Sequence, residues 1–501
     1  MSSRIPIDVK KLNLSQQLVD LLPWELIREF RAFAFEKTDK ETKIAAVNQK
    51  NPALQNYAKE HFGKKIKWFG ITDEELNFVI SSHDHDYKSL ILQLSSTALE
   101  TNNNILTIVD NIIKYALAEK ASDIHVEPLR NETVIRFRID GVLHTVLQLP
   151  KTIHQSLIAR FKIISNLKID EYRRAQDGRI EPEEFPNVSL RVSIMPTLFG
   201  EKIALRVLDE SNKNISINEL GFSEEQRNII LRNMEKPFGM IIASGPTGSG
   251  KTTTLYALLQ LIKKDSINIS TLEDPIEYTL SGINQIQINP RFELTFASGL
   301  RSLLRQDPNV IMVGEIRDSE TAVMAANAAM TGHLVFTTIH TNDAASAFTR
   351  FLEMGVEDFV VSGTINLIIA QRLVRKICDN CSAKEKLDKV ILKKIKERSD
   401  VTEALEIKQK GLSKNISKKD FTIGKGCEKC YQTGYSGRVG LYEVMSPTKE
   451  IHDAILNHKS AEQIENIALE QGFKDMVSDG IDKILQGKTT FEEVLRTTRN
   501  S

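Results

Sequence analysis

The alternation of apolar and polar positions divides the chain into blocks. Leu14, Leu18, Leu21, Leu22 and Leu26 recur at helical spacing and predict an amphipathic helix. Lys43–Val47 and Lys65–Phe69 read as short strands either side of a helix opened by Pro52. Thr72 and Glu75 fit a capping box for a further helix. Residues 1–80 therefore form a small mixed α/β domain, chemically silent. Residues 81–103 are polar and read as a linker. His83 and His85 within them have no cysteine or third histidine nearby, so a solvated stretch is expected there and not a metal site.

From residue 104 the pattern sharpens. Ile105, Ile108, Val109, Ile112 and Ala116 form a helical stripe. In ASDIHVEP, Asp123, His125 and Glu127 alternate with Ile124 and Val126, as on a strand with one buried face. Val134–Ile139 and Val142–Leu147 flank Asp140-Gly141, a strong hairpin signal. A helix around Ile153–Leu167 and the charged loop IDEYRRAQDGRI follow. A second hairpin is expected from Val188 to Leu208. Arg191 lies opposite its inward residues Val188, Leu190, Val192 and Ile194, and Arg206 is out of phase with Ile203, Leu205 and Val207. Residues 104–210 thus make an α+β domain. The polar stretch Asp209–Asn218 lacks an apolar period and predicts a hinge, its centre at 211–218.

Residues 219–501 alternate strands and helices. Met240–Ala243, Ile267–Leu272, Val310–Val313 and Leu334–Ile339 read as buried strands of a mostly parallel, three-layer α/β sheet, with ligands at the strand C-ends. The first strand runs into GPTGSGKTTT, and Leu255, Leu258, Leu259 and Ile262 then recur at helical spacing. Gly245, Pro246, Thr247, Gly248, Ser249, Gly250, Lys251, Thr252 and Thr253 fill and extend the P-loop template in its required strand–loop–helix setting. Glycines let backbone N–H groups curl around phosphates at a helix N-terminus. Lys251 is placed to reach the β- and γ-phosphates of ATP, and the Thr252 hydroxyl to hold Mg²⁺.

Acidic groups fall just past the following strands: Glu273, Asp274 and Glu277 in TLEDPIEY, then Glu315 and Asp318 in VGEIRD. A carboxylate at such a strand tip can bind Mg²⁺ through water or polarise the attacking water. His340 follows the next strand as a candidate nucleotide sensor.

Composition narrows the classes. Lys+Arg and Asp+Glu stand at 66 each in 501 residues, so no global basic field points to nucleic acid. No uncharged apolar run is long enough to cross a membrane, and the start MSSRIPIDVKK predicts no secretory signal, so a cytoplasmic protein is expected. The four cysteines, Cys378, Cys381, Cys427 and Cys430, form C-x₂-C…C-x₂-C, a structural Zn²⁺ pattern. Their pairs lie 45 residues apart, beyond the ~15–20 of a compact zinc ribbon. The Lys-rich insert carries one expected amphipathic helix on Leu387, Val390, Ile391 and Ile395. A tetracysteine subdomain is placed at 372–445, and C-terminal helices at 446–501, with Thr489 and Glu492 fitting a capping box.

GPTGSGKTTT, TLEDPIE, VGEIRD, TGHLVFTTIHTND and the cysteine segment together resemble the type II secretion and type IV pilus assembly ATPases. The resemblance covers residues 100 to 501 and implies a P-loop (RecA-like) core, ATP hydrolysis and a cytoplasmic homo-hexamer. The implied partner is an inner-membrane platform protein, which would hold the motor at the inner face of the cell membrane, with no direct nucleic-acid partner. It makes TLEDPIE the Asp box, VGEIRD the Walker B segment, and His333 with His340 the His box. It also implies that Arg191 and Arg206 reach the nucleotide, where guanidinium groups neutralise charge on the transferring phosphoryl. The Arg-Leu-Gly and Leu-rich repeats by which some pilus members bind a cyclic dinucleotide are not found in the first 80 residues. Two other classes stay open: a P-loop nucleic-acid translocase and a nucleotide-switched scaffold.

Overall fold

The computed structural model describes residues 22, 26–27, 30–37, 41–62, 65–72, 75–76, 87–96, 102–182, 184–185, 187–209 and 216–498. Leu14, Leu18, Leu21, His83, His85 and most of the expected hinge lie outside these residues. The chain divides into two compact units, Met1–Val207 and Leu208–Ser501.

The first unit opens with a three-stranded sheet of β1 (Ala32–Lys37), β2 (Thr42–Ala46) and β3 (Ile66–Gly70), in that order. The helix Pro52–Phe62 makes the crossover between the parallel strands β2 and β3. Strand β1 pairs antiparallel with β2 and was not expected from the sequence. The Thr72–Glu75 capping box is formed in both directions.

Then comes a six-stranded sheet of β4 (Asp123–Pro128), β5 (Glu132–Ile139), β6 (Val142–Pro150), β7 (Gln176–Ile180), β8 (Val188–Thr197) and β9 (Gly200–Asp209), in the order β6-β5-β4-β9-β8-β7. Asp140 and Gly141 both take positive φ (50° and 84°), as the tight hairpin between β5 and β6 requires. The helices Asn102–Ala118 and His154–Ile164 cover one face, where Ile108, Ile112 and Phe161 meet Ile124, Phe137, Leu190 and Leu205. Two expectations fail here. Residues 87–96 of the supposed linker are helical, and Tyr87 and Ile91 join this core. The charged loop contains β7, an edge strand with only Ile180 buried, so it shows no apolar period to read.

The second unit is a seven-stranded sheet between two apolar layers. Its strands are β10 (Gly239–Ser244), β11 (Ile269–Glu273), β12 (Asn284–Gln287), β13 (Val310–Val313), β14 (Leu334–Ile339) and β15 (Ile365–Ile377). A two-stranded insert of β16 (Ser382–Lys386) and β17 (Asp420–Gly424) precedes the seventh, β18 (Tyr435–Met445). The order is β12-β11-β13-β14-β10-β15-β18, with only β18 antiparallel to its neighbour.

Arg372–Ile377 and Tyr435–Met445 thus belong to the central sheet, and the cysteine module is an insertion between β15 and β18, narrower than 372–445. The insertion carries two main helices, Lys389–Lys396 and Ser399–Lys408, in place of one. Ile395 is buried there, but Val390 is 62% exposed. The last helix, Phe491–Thr497, is capped one residue later than expected. Thr490 accepts from Glu493 N, while Thr489 donates to the Arg375 carbonyl and buried Glu493 pairs with Arg375 and Arg496.

Candidate functional site

Strand β10 ends at Ser244 with every residue buried, and the P-loop follows directly. Gly245 has φ 142°, and a Cβ on it would lie 2.4 Å from the Gln371 carbonyl oxygen, so only glycine fits against β15. At Gly248, φ is 78° and a Cβ would meet nothing within 4 Å, which leaves the loop's outer side open for a ligand. Gly250 caps the helix Lys251–Ile262 in the left-handed conformation. Pro246, Thr247 and Gly248 are exposed, whereas Thr252 and Thr253 are half-buried in the first turn. Lys251 Nζ donates to the carbonyls of Gly245 (2.7 Å) and Pro246 (3.2 Å), folded across the loop mouth. Burial lowers the Lys251 pKa, against the pull of the Glu315 charge. Glycines at these turns, a helix N-terminus and a lysine across the mouth fit a nucleotide di- or triphosphate.

The ends of β11, β13 and β14 supply the acidic edge. Gly314 N donates to Leu272 O at 2.7 Å, and Thr338 Oγ1 donates to Gly314 O at 2.7 Å, which ties the three strand ends together. Glu315 sits there with His340 Nε2 2.6 Å from one carboxylate oxygen and Arg317 Nη2 2.7 Å from the other. Burial acts to raise its carboxyl, but the Arg317 hydrogen bond and the His340, Arg317 and Lys251 charges together bring it below the usual range. Glu315 is therefore ionised, oriented and electrostatically coupled to the P-loop lysine.

The other predicted groups divide. Glu273 is the last residue of β11, not past it, and is 2% exposed. Its carboxylate accepts from the Tyr256 hydroxyl, Thr271 Oγ1 (2.5 Å) and Gln285 Nε2 (3.1 Å). Burial and the Glu273 charge push the Tyr256 hydroxyl's pKa far up, so it stays a donor. Asp274 and Glu277 are exposed beyond the strand end, and the Asp274 charge helps to raise the Arg317 pKa after the Glu315 hydrogen bond and charge. Asp318 is a helix N-cap that accepts from Thr321 N. His333 is a correction. It precedes β14 and hydrogen-bonds to the Ala328 carbonyl, while its own carbonyl accepts from Gly239 N at the start of β10. That is the opposite end of the parallel sheet from the P-loop, so His333 does not reach this nucleotide site.

Sequence reading missed Arg317 and Gln371. Gln371 on β15 is 1% exposed and bonded both to the P-loop and to the first helical turn. A lone glutamine inside the run Leu367–Val374 was the available signal, because a buried amide demands partners.

In the first unit, Arg206 on β9 is exposed and pairs with Asp123 at 3.3 Å. Arg138 takes the other oxygen of Asp123 at 3.2 Å. Arg191 is exposed on β8, directly across from Arg179 of β7, a like-charge pair.

The Sγ atoms of Cys378, Cys381, Cys427 and Cys430 all lie within 4.8 Å of one another. Three of the separations are 3.9, 3.8 and 3.7 Å. A tetrahedron with Zn–S of about 2.3 Å has edges of about 3.8 Å, so the set fits Zn²⁺. Asn380 Nδ2, Cys427 N and Gly434 N donate to the sulfurs, as thiolate ligands require. With four protein ligands, such a centre is structural.

Residues 98–496 match the family described as "Type II/IV secretion system protein". The type IV pilus assembly ATPase PilB of Acinetobacter baylyi is 38% identical over 460 residues, covering 91% of this chain and 76% of that protein. The type II secretion system protein E of Aeromonas hydrophila is 42% identical over 398 residues, covering 79% and 76%. That of Pectobacterium carotovorum is 35% identical and covers 97% of this chain and 99% of its own. Among solved structures, the pilus retraction motor PilT with bound ADP has a TM-score of 0.52 at 25% identity, covering 77% of this chain and 95% of that one. The Legionella pneumophila ATPase DotB, at 22% identity and TM-score 0.56, covers 79% and 96% and shares the fold.

Proposed function

The chain belongs to the type II/IV secretion system protein family, and we propose that it is the ATP-hydrolysing motor that assembles a type IV pilus or a type II secretion pseudopilus. The observation that carries the catalytic part is Glu315, ionised between His340 and Arg317 and within electrostatic reach of Lys251. In this reading Lys251 leaves the Gly245 and Pro246 carbonyls for the β,γ-phosphates. Thr252 would hold Mg²⁺, which would supply charge neutralisation on the phosphates. Glu315 takes a proton from the attacking water, and His340 holds its carboxylate in place.

Arg191 and Arg206 are proposed to contact the phosphates in a closed state. What supports this is that Arg191 is exposed on β8 and Arg206 on β9, neighbouring strands of one sheet, and that guanidinium groups suit phosphate oxygens. We further propose a homo-hexamer docked on an inner-membrane platform protein. Among the described residues no helix is long and apolar enough to cross a bilayer.

The test is ATP turnover by wild type and Lys251→Ala, with and without single-stranded DNA. Turnover that needs Lys251 and ignores DNA supports the assembly motor. Strong stimulation by DNA favours a nucleic-acid translocase, and tight ATP binding without turnover favours a nucleotide-switched scaffold.

A further inference from the structure

The P-loop does not hold its shape alone; β15 holds it. Gln371 Nε2 donates to the Ser249 carbonyl at 2.7 Å, and Gln371 Oε1 accepts from Thr254 Oγ1 at 2.8 Å. All three side chains are buried: Gln371 and Thr254 at 1% and Ser249 at 3% exposure. No water can stand in for either bond, so each is unscreened and directional. The amide's orientation is also fixed. Turned over, it would set its oxygen against the Ser249 oxygen.

The Ser249 carbonyl and the Gly250 N–H belong to one planar trans peptide unit and therefore point in opposite directions. Anchoring that oxygen toward β15 aims the Gly250 N–H the other way, away from β15. Gly250 can follow this demand because it takes φ 90°, which other residues resist. The bond to Thr254 locks the same amide to the first turn of the helix, so loop and helix N-terminus are presented as one rigid surface. A Cβ on Gly245 would strike the backbone oxygen of Gln371 itself, so β15 also braces the loop's other end.

We propose that Gln371 is a positioning residue of the nucleotide site, which through Ser249 aims the Gly250 N–H at the β-phosphate of a bound nucleoside di- or triphosphate. The proposal rests on the reading of this loop as a nucleotide site.

The test measures ADP and AMP affinity by competition, together with the melting temperature, on the full chain. Gln371→Met keeps volume and removes both bonds. It is expected to weaken ADP about tenfold and AMP about twofold or less, since AMP lacks the β-phosphate; a general packing defect would weaken both alike. Thr254→Val is expected to weaken ADP about threefold, Thr254→Ser to retain wild-type affinity, and Thr254→Val to add nothing on top of Gln371→Met. A folded Gln371→Met protein with ADP affinity within twofold of wild type, or with an unchanged ADP-over-AMP preference, overturns the proposal. If Gln371→Met does not fold, the Thr254→Val and Thr254→Ser pair decides it by the same ADP criterion. Lys251→Ala runs alongside. Should wild type fail to bind ADP, or Lys251→Ala bind it equally well, the nucleotide-site reading fails. Should those two behave as expected and Gln371→Met not, only the positioning role falls.

Discussion

Two glutamates at adjacent strand ends could serve as the base, and their surroundings predict different costs for the same change to glutamine. Glu315→Gln removes an ionised carboxylate whose hydrogen-bonding neighbours are exposed, Arg317 at 71% and His340 at 43%. Ion pairs so exposed are worth up to about 1 kcal/mol, so the fold loses little. The loss of a general base costs about 10²–10⁴ in rate, or about 2.7–5.4 kcal/mol of barrier. ADP affinity is expected to hold or rise slightly, because Lys251 remains and a nearby negative charge is gone.

Glu273→Gln meets the reverse situation. Thr271 and Gln285 both donate to one oxygen, and Tyr256 donates to the other while itself accepting from Gln285. A glutamine N–H₂ conflicts with a donor in either orientation. One buried mismatch costs roughly 1–3 kcal/mol, or about 2–9 °C in melting temperature at about 2–3 °C per kcal/mol for a domain of this size. The assay pairs steady-state ATPase rates with thermal unfolding followed by an extrinsic dye. Both tryptophans, Trp24 and Trp68, precede the ATPase unit, so intrinsic tryptophan emission would miss it. Glu315→Gln is expected to be stable and nearly inactive, Glu273→Gln to be unstable. Glu315→Gln turnover within about threefold of wild type, or a Glu273→Gln protein that melts normally yet is dead, would refute the assignment of the base to Glu315.

Two further outcomes test the rest of the site. Elemental analysis of chelator-free protein is expected to give about one Zn²⁺ per chain, with Zn–S near 2.3 Å by X-ray absorption; a metal-free protein with four freely titrating thiols would remove the centre. Arg191→Ala or Arg206→Ala is expected to cut turnover about tenfold or more while ADP affinity changes little, a modest demand beside the 10³–10⁵ of arginine fingers elsewhere. A double substitution within about twofold of wild type would return both to surface roles.

The sequence made the P-loop and the strands around it legible, because glycine positions and all-buried strands are local patterns. The Cys₄ set was legible for the same reason. What it hid was non-local pairing. Strand β15 mixes Arg372, Arg375 and Lys376 into its second half, because β10 flanks it only as far as Ala370, and beyond that point it is paired with β18 alone. Its apolar period therefore breaks midway, and it reads as a lead-in to Cys378 rather than as a core strand. The Thr489–Glu492 cap slipped by one residue because Glu493 was drawn inward by Arg375, a partner 118 positions away.

His333 shows why a motif and a site are different things. His333 and His340 are seven positions apart and read naturally as one box. Yet the six residues between them are all of β14, every one buried. At about 3.3 Å per residue, seven steps along a strand carry the chain about 23 Å. A parallel sheet puts ligands at one end only. The strand that delivers His340 to Glu315 therefore necessarily withdraws His333 from it, and the Gly239–His333 hydrogen bond marks the end where the strands begin. Closeness in sequence meant separation in space because the intervening residues were extended. The same seven steps in a helix, at about 1.5 Å each, would have spanned only about 10 Å and put both rings on one face.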